Sequence, residues 1–457
     1  MDIEPMTFGH AVPVPAGSHS DAHTDMAMTE RLARPIIPAV VSQHVEDAAA
    51  LRSVRSVLVR APHVKLLHLG RTDERLLAHL DGITVAGDAG AEMVQQALEV
   101  PGVGQLFAAA VGAIERRDTT QIGRLLALMD QIPDVARAMA SAFGWVSADL
   151  LRGLTAPLLS AKSPTERWLG IAACAAHGVD PGGALVSALK HDDPRLRDQA
   201  VQAADKLGRA DLLAACADGL KQAQGQYRLT CAQATLVLGN PATARPVLHE
   251  LALLPTDDAR ALPALCWALL SAPLGEARDL VRQLAKNGAA PRTLIRAAGW
   301  AGDVQVVPWL IKHMGDDVHA RVAGEAFSFL TGADLALLDL ERKPPDVVTG
   351  GPTEDPDDDN VALDEDESLP WPDVARVQAW WDAHASRFPA GGRCFAGAVP
   401  DVAHCLQVLT EHPQRRRFAA VLLLRLTRPD AVLFNCAAPT HRQKRLLSRM
   451  QGGAAVD

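Results

Sequence analysis

The run Pro194-Arg195-Leu196-Arg197-Asp198-Gln199-Ala200-Val201-Gln202-Ala203-Ala204-Asp205-Lys206-Leu207-Gly208 decides how this chain is read. Proline is tolerated in the first turn of a helix, where its missing N–H is not needed. Leu196, Ala200, Ala203, Ala204 and Leu207 then follow at i, i+4, i+7, i+8 and i+11, one apolar face of a 3.6-residue period. Gly208 stands where a left-handed cap would end the helix.

The same event recurs on both sides of this run. From Ser163 to Gly332 an Ala/Leu helix, a glycine break and a second apolar helix alternate. The breaks fall at Gly178, Gly208, Gly239, Gly302 and Gly332, with a weaker one near Pro273. Their separations are 30, 31, 63 and 30 residues, so one interval spans two periods. A period of that length suits a two-helix HEAT-like unit. Trp168, Ile171, Ala172 and Ala175 repeat the apolar face before Gly178, and Ala323, Ala326, Phe327 and Leu330 do so before Gly332. The second helices read as shorter, for example Ala184-Leu185-Ala188-Leu189 and Val306-Trp309-Leu310. A pair of this kind cannot cover its own apolar side, so the units must stack.

Working outward, residues 31–160 are helical by period but less regular, and read as an N-terminal helical cap region. Ala48 to Val59, Asp73 to Leu80, Thr120 to Met129 and Val135 to Phe143 are its amphipathic stretches. Asp88 is expected as the N-cap of a helix through Val94 and Leu98. Residues 161–340 are the HEAT-like repeats. Residues 341–370 break every period with Lys343-Pro344-Pro345, Gly350-Gly351-Pro352 and an acidic run, and read as a flexible linker. Residues 371–457 are expected to form a small C-terminal helical module, or a detached final repeat, with helices over Trp371 to Ser386, Pro400 to Leu409 and Pro413 to Leu426. Residues 1–30, rich in His, Pro, Ser and Asp and lacking the apolar core of a signal peptide, read as a disordered tail. The expected fold class is therefore all-α, an α-solenoid of HEAT-like helix pairs.

Composition agrees. Hydrophobic residues make up 48% of the 457 residues but aromatics only 4%, so Ala, Leu and Val fill the core. That mixture favours closely packed helices over strands. The net charge is −9, and Glu354, Asp355, Asp357, Asp358, Asp359, Asp364, Glu365, Asp366 and Glu367 account for all of it. The rest of the chain is near neutral, which speaks against a phosphate-tracking basic stripe, and nucleic acid is not expected as a partner. No stretch reaches the ~20 apolar residues needed to span a bilayer, and no membrane partner is expected. Seven cysteines without a CxxC pair read as reduced structural thiols in a cytoplasmic protein.

Chemistry-bearing constellations are sparse. His63, His68 and His79 match no metal-ligand spacing, and no metal or cofactor is expected. His313 and His319, flanking Asp316 and Asp317, read as surface polarity at a turn. Asp357, Asp358 and Asp359 lack the alternation and central glycine of a calcium loop. No nucleophile elbow, phosphate loop or dinucleotide fingerprint is present, so no catalytic residue is named. For binding, Trp300, Trp309, Trp380 and Trp381 stand out, since Trp is a frequent interface hot spot. A Trp at helical spacing among alanines is also an ordinary core residue. Arg415, Arg416 and Arg417 with Arg425 form the basic cluster of note, open to the acidic linker in cis, to an acidic partner, or to solvent.

Several of these segments look familiar together. His63 to Leu80, with Leu76-Leu77-Ala78-His79-Leu80-Asp81-Gly82 and Val85-Ala86-Gly87-Asp88-Ala89-Gly90, resembles the opening of a family of bacterial HEAT-repeat proteins encoded in type VI secretion gene clusters. Ala323-Gly324-Glu325-Ala326-Phe327-Ser328-Phe329-Leu330-Thr331-Gly332 is similar to that family's last main repeat. Leu369-Pro370-Trp371-Pro372, Trp380-Trp381 and Gln414-Arg415-Arg416-Arg417 resemble its C-terminal part. The resemblance implies a non-catalytic partner-binding protein. It would be an immunity protein for a co-encoded toxin, or an adaptor that loads an effector onto the secretion spike-tip protein. The competing class is a HEAT-like enzyme such as a DNA glycosylase, which would want a basic concave groove.

Overall fold

Proline at a helix start and glycine after its end are the recurring local signals, and the computed structural model shows where they act. The described residues are 36–222, 225–345, 364–388, 391–427 and 433–454. The chain divides into residues 1–37, of which only Ile36 and Ile37 are described, and a body from Pro38 to Asp457. The expected tail, residues 1–30, lies outside the described residues. Among the described residues the body is all-helical, with isolated bridges instead of a sheet.

The N-terminal part contains α1 (Pro38–Leu58), α2 (Leu66–Val85), α3 (Gly87–Ala97), α4 (Val103–Glu115), α5 (Thr119–Leu128), α6 (Pro133–Trp145) and the short α7 (Thr155–Leu159). The repeats follow as α8 (Pro164–His177), α9 (Gly183–Leu189), α10 (Pro194–Lys206), α11 (Leu213–Gln222), α12 (Gly225–Val237), α13 (Pro241–Ala252), α14 (Ala261–Ser271), α15 (Leu274–Lys286), α16 (Pro291–Ala301), α17 (Val307–His313) and α18 (Ala320–Thr331). The last four are α19 (Val374–His384), α20 (Val402–Glu411), α21 (Gln414–Thr427) and α22 (Thr440–Ala454). Successive elements pack as neighbours: α10 lies against α8 and α12, and α16 against α14 and α18. This is an α-solenoid.

The helix α10 shows how the repeat is written. Pro194 is its first residue, and the Asp193 carboxylate accepts the Leu196 amide at 2.8 Å, satisfying a donor the helix cannot. Leu196, Ala200, Ala203 and Ala204 are completely buried, and Leu207 half-buried. Gly208 follows at φ +64°, a conformation open to glycine at little cost. Gly332, at φ +73° after α18, has a second reason to be glycine: a Cβ there would lie 2.5 Å from the Ala396 carbonyl oxygen. The weaker break near Pro273 uses other chemistry, since the proline holds Ala272 extended and ends α14 without glycine. The second helices are not uniformly short. α9 and α17 have 7 residues each, but α13 has 12 and α15 has 13.

Two local expectations are corrected. Asp88 is not an N-cap: α2 runs to Val85 and Ala86 serves as hinge and cap, leaving Asp88 in the first turn of α3, where the helix dipole favours a carboxylate. A fourth C-terminal helix, α22, was not foreseen, because Thr440 to Ala454 is mostly polar and carries few apolar positions.

Residues 371–457 lie in the same compact unit as the repeats. Their buried side chains, among them Cys405, Leu409, Ala420, Leu423 and Leu447, share one apolar core with those of α10, α12 and α14. The same segment reaches the start of the body. Pro413 bridges to Lys65, the Gln414 amide donates to the Val64 carbonyl at 2.8 Å, and the Thr440 amide donates to Asp73 at 2.7 Å. At the centre sits Arg417, completely buried. Its guanidinium donates to the Leu409 carbonyl at 2.7 Å and to the side-chain oxygens of Gln414 and Gln443. Those two glutamines in turn donate to the carbonyls of Val59, Cys436 and Ala438. Half-buried Arg393 donates to the carbonyls of Leu269, Ala272 and Trp300, closing the ends of α14 and α16.

Arg417→Met strands three buried acceptors, each costing about 1–3 kcal/mol when left unpaired. Urea denaturation is expected to show a loss of at least about 3 kcal/mol. The neighbouring Arg415→Met, at a half-exposed ion pair, is expected to lose about 1 kcal/mol or less.

Candidate functional site

Against α14, α16 and α18 the chain lays α21, and the contact leaves a groove. One lobe, of about 580 Å³, is lined by Leu262, Cys266, Gly299, Trp300, Phe329 and Phe418 among others. The second, of about 300 Å³, shares Cys266, Trp300, Arg415 and Phe418 and adds Trp267 and Leu270. Gly299 lets α16 and α18 pack closely at the groove, since a Cβ there would press on Ala326 at 3.1 Å. Phe418 points an aromatic ring outward from α21 and remains 43% exposed, unusual for so large an apolar side chain.

The rim is charged and paired. Arg415 holds Glu325 at 2.8 Å and donates to the Glu365 carbonyl at 2.9 Å. Glu365 is bound by Arg296 at 2.7 Å and by Arg292 at 3.3 Å. Buried Asp366 meets Arg292 at 2.6 Å, and Asp364 meets Arg321 at 2.6 Å. Hydrogen bonding from Arg296 holds the carboxyl of exposed Glu365 below its usual range. Burial works against ionised Asp364, yet the Asp366 amide and the Arg321 guanidinium bring it below its usual range too. The end of the acidic run is thus an anchored strap at the groove's edge. It continues into Trp371, whose ring is flanked by the guanidinium groups of Arg321 and Arg342.

The residues singled out in the sequence go to different places. Trp300 is in the groove. Trp309 is 37% exposed elsewhere, edge-on to His313. Trp380 and Trp381 are half-buried, both edge-on to Phe327, and stack on His384 and Phe388 respectively. The three arginines do not form one face. Arg415 lines the groove, and Arg416 is half-buried against His412 at 3.1 Å, with burial pushing its guanidinium down to about 10. Burial, then Arg416, pushes His412 down to about 4, so its neutral ring accepts that contact. Arg417 is in the core. Asp364, Glu365 and Asp366 dock chiefly on Arg292, Arg296 and Arg321, while Glu367 is exposed. Glu354, Asp355, Asp357, Asp358 and Asp359 lie outside the described residues.

The remaining constellations also separate. His79 faces His44 at 3.1 Å, whereas the His68 ring accepts the Lys65 amide. His319 pairs with Asp316 at 2.6 Å. Among the described residues no group of His, Cys, Asp or Glu could hold a metal ion. Cys266, at the groove, has its thiol pushed up to about 12 by burial, as has Cys436, and neither is a ready nucleophile. No helix among the described residues is long and apolar enough to cross a membrane.

Sequence reasoning missed Trp267, Cys266 and Phe418. The signal for the first was present: Trp267 precedes Trp300 by 33 residues, about one repeat, which places both on first helices of neighbouring pairs, α14 and α16. Phe418 carried none, because the position of α21 depends on contacts remote in sequence. Comparison with protein-family models, with curated proteins and with solved structures finds no match for this chain.

Two outcomes test this geometry. Asp366→Asn removes the buried carboxylate from Arg292, and hydrogen exchange over residues 364–371 is expected to lose roughly ten-fold or more of its protection, a charged hydrogen bond being worth about 1.5–3 kcal/mol. The second concerns Asp205, half-buried at the smaller lobe, whose carboxyl burial pushes up to about 7. A raised carboxyl favours the folded state at low pH and loses that contribution as pH rises from the ordinary value of 3.8 through about 7. Asp205→Asn should therefore raise Tm by a few degrees, about 2–4 °C, at pH 8. The difference should vanish by about pH 4.

Proposed function

We propose that this chain is a non-catalytic, protein-binding α-solenoid of bacterial type VI secretion, an immunity protein whose groove holds a co-encoded toxin. The groove formed by Trp267, Trp300 and Phe418 inside an arginine- and glutamate-bearing rim carries the reading. Aromatic side chains and arginine dominate the energetics of protein interfaces, and a partly exposed aromatic floor beside a charged rim is their usual arrangement. The secretion setting rests on the resemblance of Ala323–Gly332, Leu369–Pro372 and Gln414–Arg417 to the bacterial HEAT-repeat family.

Affinity purification of the tagged chain from its host, with mass spectrometry, identifies the partner, and co-expression of that partner assigns the role. Protection of cells expressing the toxin supports immunity. Unchanged toxicity together with a requirement for export points to the loading adaptor instead. Trp300→Ala and Phe418→Asp are each expected to weaken partner affinity by about 2 kcal/mol, a hot-spot loss. Circular dichroism should show the native helix content in both. Folded variants that bind the partner as tightly as the unchanged chain overturn the assignment of the groove.

A further inference from the structure

A second cavity, of about 280 Å³, opens where the segment Asn435 to Pro439 crosses α1 and the end of α6. Its chemistry differs from that of the groove. Arg52, Arg55 and Arg60 line it with Ser56, Ser141 and Trp145, and no carboxylate does. Of the three charges only Arg55 has a carboxylate partner among the described residues, Asp73, at 2.5 Å. Arg55 also donates to the Ala437 and Ala438 carbonyls and lies 5.5 Å over the Trp145 ring, so it is fixed in place.

Arg52 is held by hydroxyls rather than by an acid. It donates to Ser141 Oγ at 2.9 Å and to Ser56 Oγ. The Ser56 hydroxyl donates to the Arg52 carbonyl, whereas the Ser141 proton has no acceptor among the described residues. Arg60 is exposed, and its guanidinium has no partner among the described residues. A fourth arginine stands behind the wall. Arg442 donates to the carbonyls of Gly144, Trp145 and Ala176, leaving a buried Nε without an acceptor among the described residues. Burial, and then Arg55 and Arg445, push its guanidinium down to about 10.

We propose that this cavity is a binding site for a small phosphate-class oxyanion, a phosphate or diphosphate group. Guanidinium forks match phosphate oxygens in pairs of hydrogen bonds, and Arg52 and Arg60 supply two charges that the protein leaves uncompensated. The free Ser141 proton adds a neutral donor. The volume lies just under the usual range for drug-sized ligands, about 300–1,000 Å³, and suits a small anion. Bound there, the anion joins α1 to the segment Asn435 to Pro439 and staples the two ends of the body. The site shares Arg60 with the larger lobe of the groove, whereas Arg52 lines this cavity and not the groove.

Thermal unfolding and calorimetric titration of the full chain test the proposal, using inorganic phosphate and pyrophosphate, citrate as a carboxylate arm, and sodium chloride at matched ionic strength. Saturable binding of phosphate or pyrophosphate with a rise in Tm is expected. Arg60→Ala, which breaks no side-chain hydrogen bond or ion pair among the described residues, and Arg52→Gln should each weaken that binding roughly ten-fold or more, the effect of losing one charge-assisted hydrogen bond. A Tm that follows ionic strength alone overturns the proposal, as does equal binding by the unchanged chain and both variants. Saturation by citrate but not by either phosphate overturns the phosphate class.

Discussion

A guanidinium without water must have every direction of its charge answered by protein, and Arg417 meets that condition by drawing five segments together. The Leu409 carbonyl, Gln414 and Gln443 accept from it, and the two glutamines pass the requirement on to Val59, Cys436 and Ala438. Burying one charge thus fixes the relation of α20, α21 and α22 to the end of α1. Buried polar networks of this kind penalise alternative packings, because any slip leaves groups unpaired in a medium that cannot replace the bond.

The groove is a consequence of that constraint. Arg415, Arg416 and Arg417 are consecutive, and a helix turns by about 100° between residues. Once Arg417 is directed into the core, Arg415 must face α18, where it meets Glu325, and Phe418 must face outward. The same helix that completes the apolar core therefore supplies the groove's second wall. Both surfaces proposed to bind ligands arise in this way. The groove lies between α21 and the repeats, and the arginine-lined cavity between Asn435 to Pro439 and the first helix.

Electrostatics then set the rim. The carboxylates of Asp364, Glu365 and Asp366 meet arginines on α16 and α18, and α21 takes only the Glu365 backbone carbonyl at Arg415, because Arg292, Arg296 and Arg321 lie on adjacent repeats and point the same way. A charge at an equivalent place in successive repeats makes a ladder. A strap carrying consecutive carboxylates can follow such a ladder, whereas α21 offers it only Arg415.

The all-helical class, the repeat period and most helix limits were determined by the sequence alone, since they depend on contiguous residues. Pro194, the i, i+4 spacing of Leu196 and Ala200, and Gly208 act within a few turns of one another. The signal failed where local chemistry was ambiguous, as at Asp88, or where a helix such as α22 is mostly polar and takes its stability from tertiary contacts. The fate of Arg415, Arg416 and Arg417, the grouping of Trp267 and Trp300 with Phe418, and the closing of Asn435 to Pro439 over the arginines of the first helix were decided only by tertiary structure. Each depends on residues near 413–443 docking on residues near 59–73, and complementarity between such distant segments leaves no period in the chain.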